Sequence, residues 1–567
     1  MKFFNKTYII IGLSMLLAGV TSCKKFTDEY NPGNRTAETY YNLNAGFQDL
    51  AKSNYTTLRG LVNFPQFFNI GTDVYSTPGI NDNNALNLYN SQLNSSLGDA
   101  DSFYKQLYNA INIANNTMYW ATQVTDGDVT VINTRVAEAK ALRAWYYFLL
   151  TETFGDVPLV TTRTTSVTLA YTRTPEKDIY AQVIQDLNDA ISALPATTPD
   201  FGRITKGFAQ HLLAKVYLTR GYKSYAAPND FQQAATVADA VISSGMYALK
   251  AKYSDLFDPA ISGFQANSEV IFSVQYSTNA LTNGLGNSLH QWFLWDTQNT
   301  PLVGRSTFYG KTLNAISPNP YFFSLFNRTS DSRFSATVFD GVITQVAGSF
   351  AGKNYAVGDT LIYYPAVAFT AEQKAARKYI VINPDEYRNS PFLAGARNYP
   401  QFKKFRDPFV TTYAENAGAR DTYVFRLAET YLIAAEAYVK LGNQGLALTR
   451  FNTIRTRAAK AGTNPATGLA YSADLLYAGT LTLDAILDER ARELAGEEFR
   501  WYELKRVYET AGNVASNKLL TRPLIYNDEL KAASAGKTAL DAKFLLRPIP
   551  QSQVDLNRGP FAQNPGY

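Results

Sequence analysis

Arg426-Leu427-Ala428-Glu429-Thr430-Tyr431-Leu432-Ile433-Ala434-Ala435-Glu436-Ala437 reads as a helix with Leu427, Tyr431, Ala434, Ala435 and Tyr438 on one face. Gly442-Asn443 turns the chain, and Ala447, Phe451, Ile454 and Ala458 then line a second helix. Neither helix buries its apolar stripe alone. Paired as an antiparallel hairpin, with small alanines where the two cross, they satisfy each other, as in a tetratricopeptide repeat. An earlier segment has the same form. From Thr205 the positions Ala209, Leu212, Leu213 and Val216 step at helical spacing, the chain breaks between Gly221 and Asn229, and Phe231, Ala234, Ala235 and Ala238 repeat the steps.

Working outward, Phe103 to Val124 and Arg135 to Thr153 predict two long helices, the second with Val136, Ala139, Leu142, Tyr146 and Leu149 on one face. Pro175-Glu176-Lys177-Asp178 opens another that runs to Leu194, with acids in the first turn where the helix dipole favours them. Between about Asp255 and Arg420 the texture changes to Gly, Asn, Ser, Pro and aromatics, with strand-like runs at Val270-Ile271-Phe272-Ser273-Val274 and Lys378-Tyr379-Ile380-Val381-Ile382. The expected fold class is therefore mainly α. Helical repeats lie mainly at 101–254 and 421–510, and a loop-rich, short-strand subdomain at about 255–420 is inserted into them without a linker. Long loops on a rigid frame are where binding is expected.

The N-terminus bears on location. Lys2 and Lys6 precede an apolar stretch from Tyr8 to Val20, and Leu16-Leu17-Ala18-Gly19-Val20-Thr21-Ser22-Cys23 ends on the chain's single cysteine. About thirteen apolar residues are too few to span a bilayer, which takes about 20 as a helix. The pattern fits a signal peptide over 1–22 and resembles the bacterial lipobox, which implies that Cys23 is acylated. Residues 23–40, with Asn31-Pro32-Gly33-Asn34 in the middle, read as a tether to a folded body over 41–567. One cysteine also allows no internal disulfide.

Composition excludes some functions. A formal net charge of +5 on 567 residues, with no basic run, argues against nucleic acid as a partner. Two histidines, His211 and His290, leave no metal-ligand spacing and little material for a Ser-His-Asp system, and no cofactor or metal is expected. His211 sits on an apolar-periodic helix and reads as a packed residue. Glu489, Glu493, Glu497 and Glu498 are interleaved with Arg490, Arg492 and Arg500, a spacing that makes ion pairs rather than a glycosidase acid and nucleophile. Gly536-Lys537-Thr538 lacks the earlier glycine and preceding strand of a phosphate loop and reads as a surface turn.

Tyr and Phe are abundant, 38 and 34, and polar-tipped rings suit a surface that stacks on sugars and hydrogen-bonds their hydroxyls. Two clusters stand out as candidate ligand contacts. His290-Gln291-Trp292-Phe293-Leu294-Trp295-Asp296 brings Trp292 and Trp295 into the loop-rich block, followed by Arg305 and Tyr309. Asp73-Val74-Tyr75, with Asn81-Asp82-Asn83-Asn84 and Tyr89, forms the other, so Asp73, Tyr75, Asn83 and Tyr89 join the candidates.

Four blocks in order carry a family resemblance: Arg143-Ala144-Trp145-Tyr146-Tyr147 with Phe154-Gly155-Asp156-Val157-Pro158-Leu159-Val160; the 426–437 helix; Glu489-Arg490-Ala491-Arg492-Glu493-Leu494-Ala495 with Glu498-Phe499-Arg500-Trp501-Tyr502-Glu503-Leu504-Lys505-Arg506; and Phe544-Leu545-Leu546-Arg547-Pro548-Ile549-Pro550-Gln551-Ser552-Gln553 through Asn564-Pro565-Gly566-Tyr567. Together with the lipobox they resemble the SusD/RagB family of nutrient-binding outer-membrane lipoproteins. The resemblance implies a non-catalytic, lipid-anchored protein at the cell surface, on the outer membrane. Such a protein binds oligosaccharide and delivers it to a SusC-type TonB-dependent transporter. A peptide ligand is the alternative within the family. A glycoside hydrolase, or a repeat scaffold without a small ligand, is the alternative outside it.

Overall fold

The helical periods of the sequence become one continuous stack. In the computed structural model, which describes residues 36–567 apart from 80–82, 314, 388–397, 498 and 511, helices Asn44–Thr56, Gly98–Ala121, Val129–Phe154, Glu176–Ala193, Lys206–Arg220 and Asp230–Ser243 pack each against the next. Cys23 and the signal segment lie outside the described residues, and the tether expected to reach residue 40 turns helical at Ala37–Tyr40. The next helix in the stack after 230–243 is Leu427–Lys440, which in turn contacts Gln444–Ala458 and Leu483–Glu493. The scaffold thus runs straight past the insertion. Fully buried Ala234, Ala235, Ala238, Ala428, Ala434 and Ala435 let these backbones approach across that break.

The 129–154 helix is the centre of the stack. Asp128 caps it, accepting from the Thr130 and Val131 N–H groups, and Gly155 ends it at φ 73°. A single apolar face is expected from the sequence, yet nearly every residue from Ala137 to Phe154 is buried, as neighbours enclose it on all sides. Its buried Arg143 reaches Asp186 with two bonds of 2.8 Å and Asn115 with one, joining three helices.

The insertion closes on the scaffold at both ends. Val270–Val274 and Thr422–Arg426 form an antiparallel pair, and Phe272 and Phe425 pack on Phe208 at ring-centroid distances of 4.9 and 5.2 Å. Further out, Gly341–Ile343, Thr360–Tyr363 and Ile380–Val381 make a three-stranded sheet, and Tyr75–Ser76 pairs with Ser317–Pro318. A buried ionic web clamps insertion to scaffold. Arg333 meets Asp331, Glu489 and Glu493, and Arg426 meets Glu269, Glu493 and Glu497. The C-terminal signature returns to the early helices, where the Asn564 amide donates to the carbonyls of Phe154 and Arg547. Among the described residues no helix is long and apolar enough to cross a membrane.

Candidate functional site

Three stretches of the loop-rich region, around 283–298, 305–316 and 403–418, lie against one another. Their bases are knitted by reciprocal backbone bonds between Asn287 and Gly418 (2.8 and 3.0 Å) and by the Asn283 amide donating to Gly418 O. The Leu313 N–H donates to Gln291 O, and the Ile316 N–H to Trp292 O. Asn416 Oδ1 accepts from both Gln291 Nε2 (2.9 Å) and Lys311 Nζ (3.1 Å). The result is an ordered face built on irregular backbone.

On this face Trp292 is half-buried, its indole N–H donating to Ser288 Oγ at 3.1 Å, so one part of the ring packs while the rest meets solvent. Arg305 is exposed. Tyr413 lies close to both Asp296 and Arg305: burial and Asp296 raise its phenol, and Arg305 opposes them. Arg406 stacks over Phe308 at 4.5 Å, and Phe308 is 5.3 Å from Phe339. Aromatic rings edged by Asp, Asn, Arg and Lys are the chemistry that a sugar's apolar face and hydroxyl rim require. Sequence reasoning missed Tyr413, Arg406 and Phe308. The alternation in Lys403-Lys404-Phe405-Arg406 was the available signal, but Lys404 points inward to Glu497, and burial lowers its pKa to about 8.

Five candidates are corrected to structural roles. Trp295 is buried and donates its indole N–H to Tyr399 O at 3.0 Å, and Tyr309 is buried with its hydroxyl accepting from the Ile343 N–H at 2.7 Å. Asp73 is fully buried between Arg500 and Arg522, and the buried Tyr75 hydroxyl accepts from the Gly496 N–H. Tyr89 is buried at the left-handed φ of 47°, against Phe544 and the Arg547 guanidinium. The strand pair that seats Tyr75 forms with residues more than two hundred positions away, beyond the reach of local patterning. Asn83 is exposed and accepts from Asn90 Nδ2, while Asn81 and Asp82 lie outside the described residues.

Among the described residues, the carboxylates that invited a catalytic reading, Glu489, Glu493 and Glu497, are each taken by cations. Glu489 meets Arg333, Arg455 and Arg492, and Glu497 meets Arg426 and Lys404; these pairs hold both acids below the usual carboxylate range against the effect of burial. Glu498 lies outside the described residues. His211 is buried between Glu429 and Thr430, and Gly536-Lys537-Thr538 is an exposed turn. Among the described residues no group of His, Cys, Asp and Glu is placed to hold a metal. A cavity of about 110 Å³ is lined by Trp145, Phe148, Phe405 and Phe425.

Comparison with known proteins places this architecture. The family model described as SusD family matches residues 268–567, and one described as starch-binding associating with outer membrane matches residues 65–218. SusD-like protein P2 of Formosa agariphila is 27% identical over 487 residues, covering 83% of this chain and 81% of that protein. A solved laminarin-binding SusD-like protein superposes with a TM-score of 0.65 at 24% identity, over 92% of this chain and 99% of that one. A SusD homolog from Bacteroides thetaiotaomicron gives 0.68 at 21% identity, over 94% and 99%. At these identities the solved structures establish a shared fold.

Proposed function

The chain belongs to the SusD family, and from that premise we propose that it is a cell-surface lipoprotein of the outer membrane that captures oligosaccharide and passes it to a SusC-type TonB-dependent transporter. Descriptions of starch binding at the outer membrane and of laminarin binding among the matched proteins support a glycan as the ligand class. The observation that carries the reading is the loop-rich face itself, where Trp292 and Tyr413 offer ring surface and Asp296, Arg305, Lys311 and Asn416 offer a polar rim. The transporter partnership and the acylation of Cys23 come from the family resemblance and the lipobox.

The test is calorimetric titration of purified protein with starch and laminarin oligosaccharides. Trp292→Ala and Tyr413→Ala should each weaken binding by on the order of 1–3 kcal/mol, the scale of ring stacking. Trp295→Ala serves as the control: it should lower stability by roughly 3–5 kcal/mol, as a large buried ring is removed, without a specific effect on affinity. Equal affinities in wild type and both face variants would move the site elsewhere. Anchoring is read separately, since Cys23→Ala should shift the protein from the membrane to the soluble fraction in cells lacking the transporter.

A further inference from the structure

A groove of about 390 Å³ lies on elements that contribute nothing to the loop-rich face. One wall is a face of the 98–121 helix, where Tyr104, Tyr108, Ile111 and Asn112 recur at helical spacing. The facing wall is Leu169 and Tyr171 from the Thr-rich loop that follows Pro158, and Leu556 and Phe561 of the C-terminal segment close the end. The walls are fixed to one another. The Asn557 side chain takes both backbone polar groups of Tyr171, accepting from its N–H at 2.9 Å and donating to its C=O at 2.8 Å. Tyr108 donates its hydroxyl proton to Pro158 O at 2.8 Å. A pocket of this size, apolar in most of its lining and with its walls tied together by these bonds, has the properties of a small-molecule site.

The lining selects the ligand. Among the described residues that line the groove Lys105 alone is charged, and its ammonium is 2.7 Å from Asp101. The groove therefore offers one ion-paired cation at its edge against a majority of rings and neutral polar groups. The rings are bordered by Thr164, Thr168, Gln553 and Asn112, of which Thr164 and Thr168 are exposed. A lipid chain would cover the rings but leave these donors and acceptors desolvated and unpaired, which is costly. A neutral sugar satisfies both halves of the surface. We propose that this groove is a saccharide-binding site separate from the loop-rich face, so that one chain holds a neutral glycan at two places. It rests on the reading of this protein as a glycan binder.

The experiment is hydrogen exchange on the full-length protein in detergent, with starch and laminarin oligosaccharides as probes and a mixed peptide library as the contrast. The glycan should protect segments 164–171 and 553–561, and the protection should persist in Trp292→Ala. Tyr171→Ala should weaken it by about tenfold or more while the melting temperature holds. If Tyr171→Ala does not fold, Leu169→Asp at the exposed lip of the groove replaces it. Protection of the 283–298 and 403–418 loops alone overturns the groove and leaves glycan binding standing. Protection of the groove by peptides and not by glycans overturns the assignment of ligand class. Protection on neither surface by any probe overturns both readings.

Discussion

Asp73 sits between two guanidinium groups with no exposure to solvent, Arg500 at 2.9 and 2.8 Å and Arg522 at 2.8 Å. Burial alone works against its charge, but the two arginines outweigh it and hold the carboxyl at about 2. A depressed folded-state pKa contributes stability that is present above the unfolded value, near 3.8, and is lost as pH falls toward 2. Asp73→Asn should therefore cost about 3–5 kcal/mol at neutral pH, because buried Arg500 loses its carboxylate and Arg522 loses one of its three. In urea denaturation the gap to wild type should narrow between pH 4 and pH 2, and a gap independent of pH would show that the carboxylate's charge is not what matters. At this scale the sequence was only partly legible. Trp292 and Trp295 are three residues apart, and in a helix they would share a face. Here a short 3₁₀ turn ends at Gln291 and the chain then runs irregularly, so one ring reaches solvent and the other the core. Residue type identified candidates for stacking on sugar, but only the tertiary path separates an exposed ring from a buried one.

Helices were legible because their period is local. The 427–440 and 444–458 pair and the 206–220 and 230–243 pair fall where the apolar steps and the Gly442 and Gly221 breaks put them. What was not legible is that 230–243 packs directly on 427–440, across an insertion that the chain must leave and re-enter. Alanine content offers the physical reason in retrospect: two helices each with several buried alanines approach closely only when each faces the other's small side chains. The strand Val270–Val274 was readable as a β-branched and aromatic run, but its partner Thr422–Arg426 begins a segment that continues straight into a helix, and the helical period masked it. Strand pairing over that separation is set by the burial of Phe272 and Phe425 against Phe208, a contact that no window of sequence contains.

Across the whole molecule, buried charge ties the two parts into one folding unit. Arg333 and Lys404 come from the insertion, while Glu489, Glu493 and Glu497 come from or directly follow a scaffold helix. Arg426, at the junction, meets acids from both sides. A second group in the scaffold joins Glu429 and Glu503 to Lys215 and Arg490. The Glu/Arg blocks were visible in sequence, but long-range partners such as Arg333 were not, since ion pairing has no period. Burial opposes the charge on each of these acids, and their cations hold all five below the usual carboxylate range. Stability from them is present above about pH 4.5 and drains away as pH falls through the depressed values, so acid should destabilise insertion and scaffold together. Calorimetry at neutral pH should give one transition for the whole chain, moving to lower temperature as the pH is lowered below about 4.5. Arg333→Met tests the coupling directly. It leaves buried Asp331 without its cation and removes one of the several cations around Glu489 and Glu493, so it should lower stability by about 3–5 kcal/mol and resolve the single transition into two as the insertion melts ahead of the scaffold. A variant that unfolds in one transition, at a temperature close to wild type, would mean that packing through the 270–274 and 422–426 strand pair couples the two parts and that the buried charges add little.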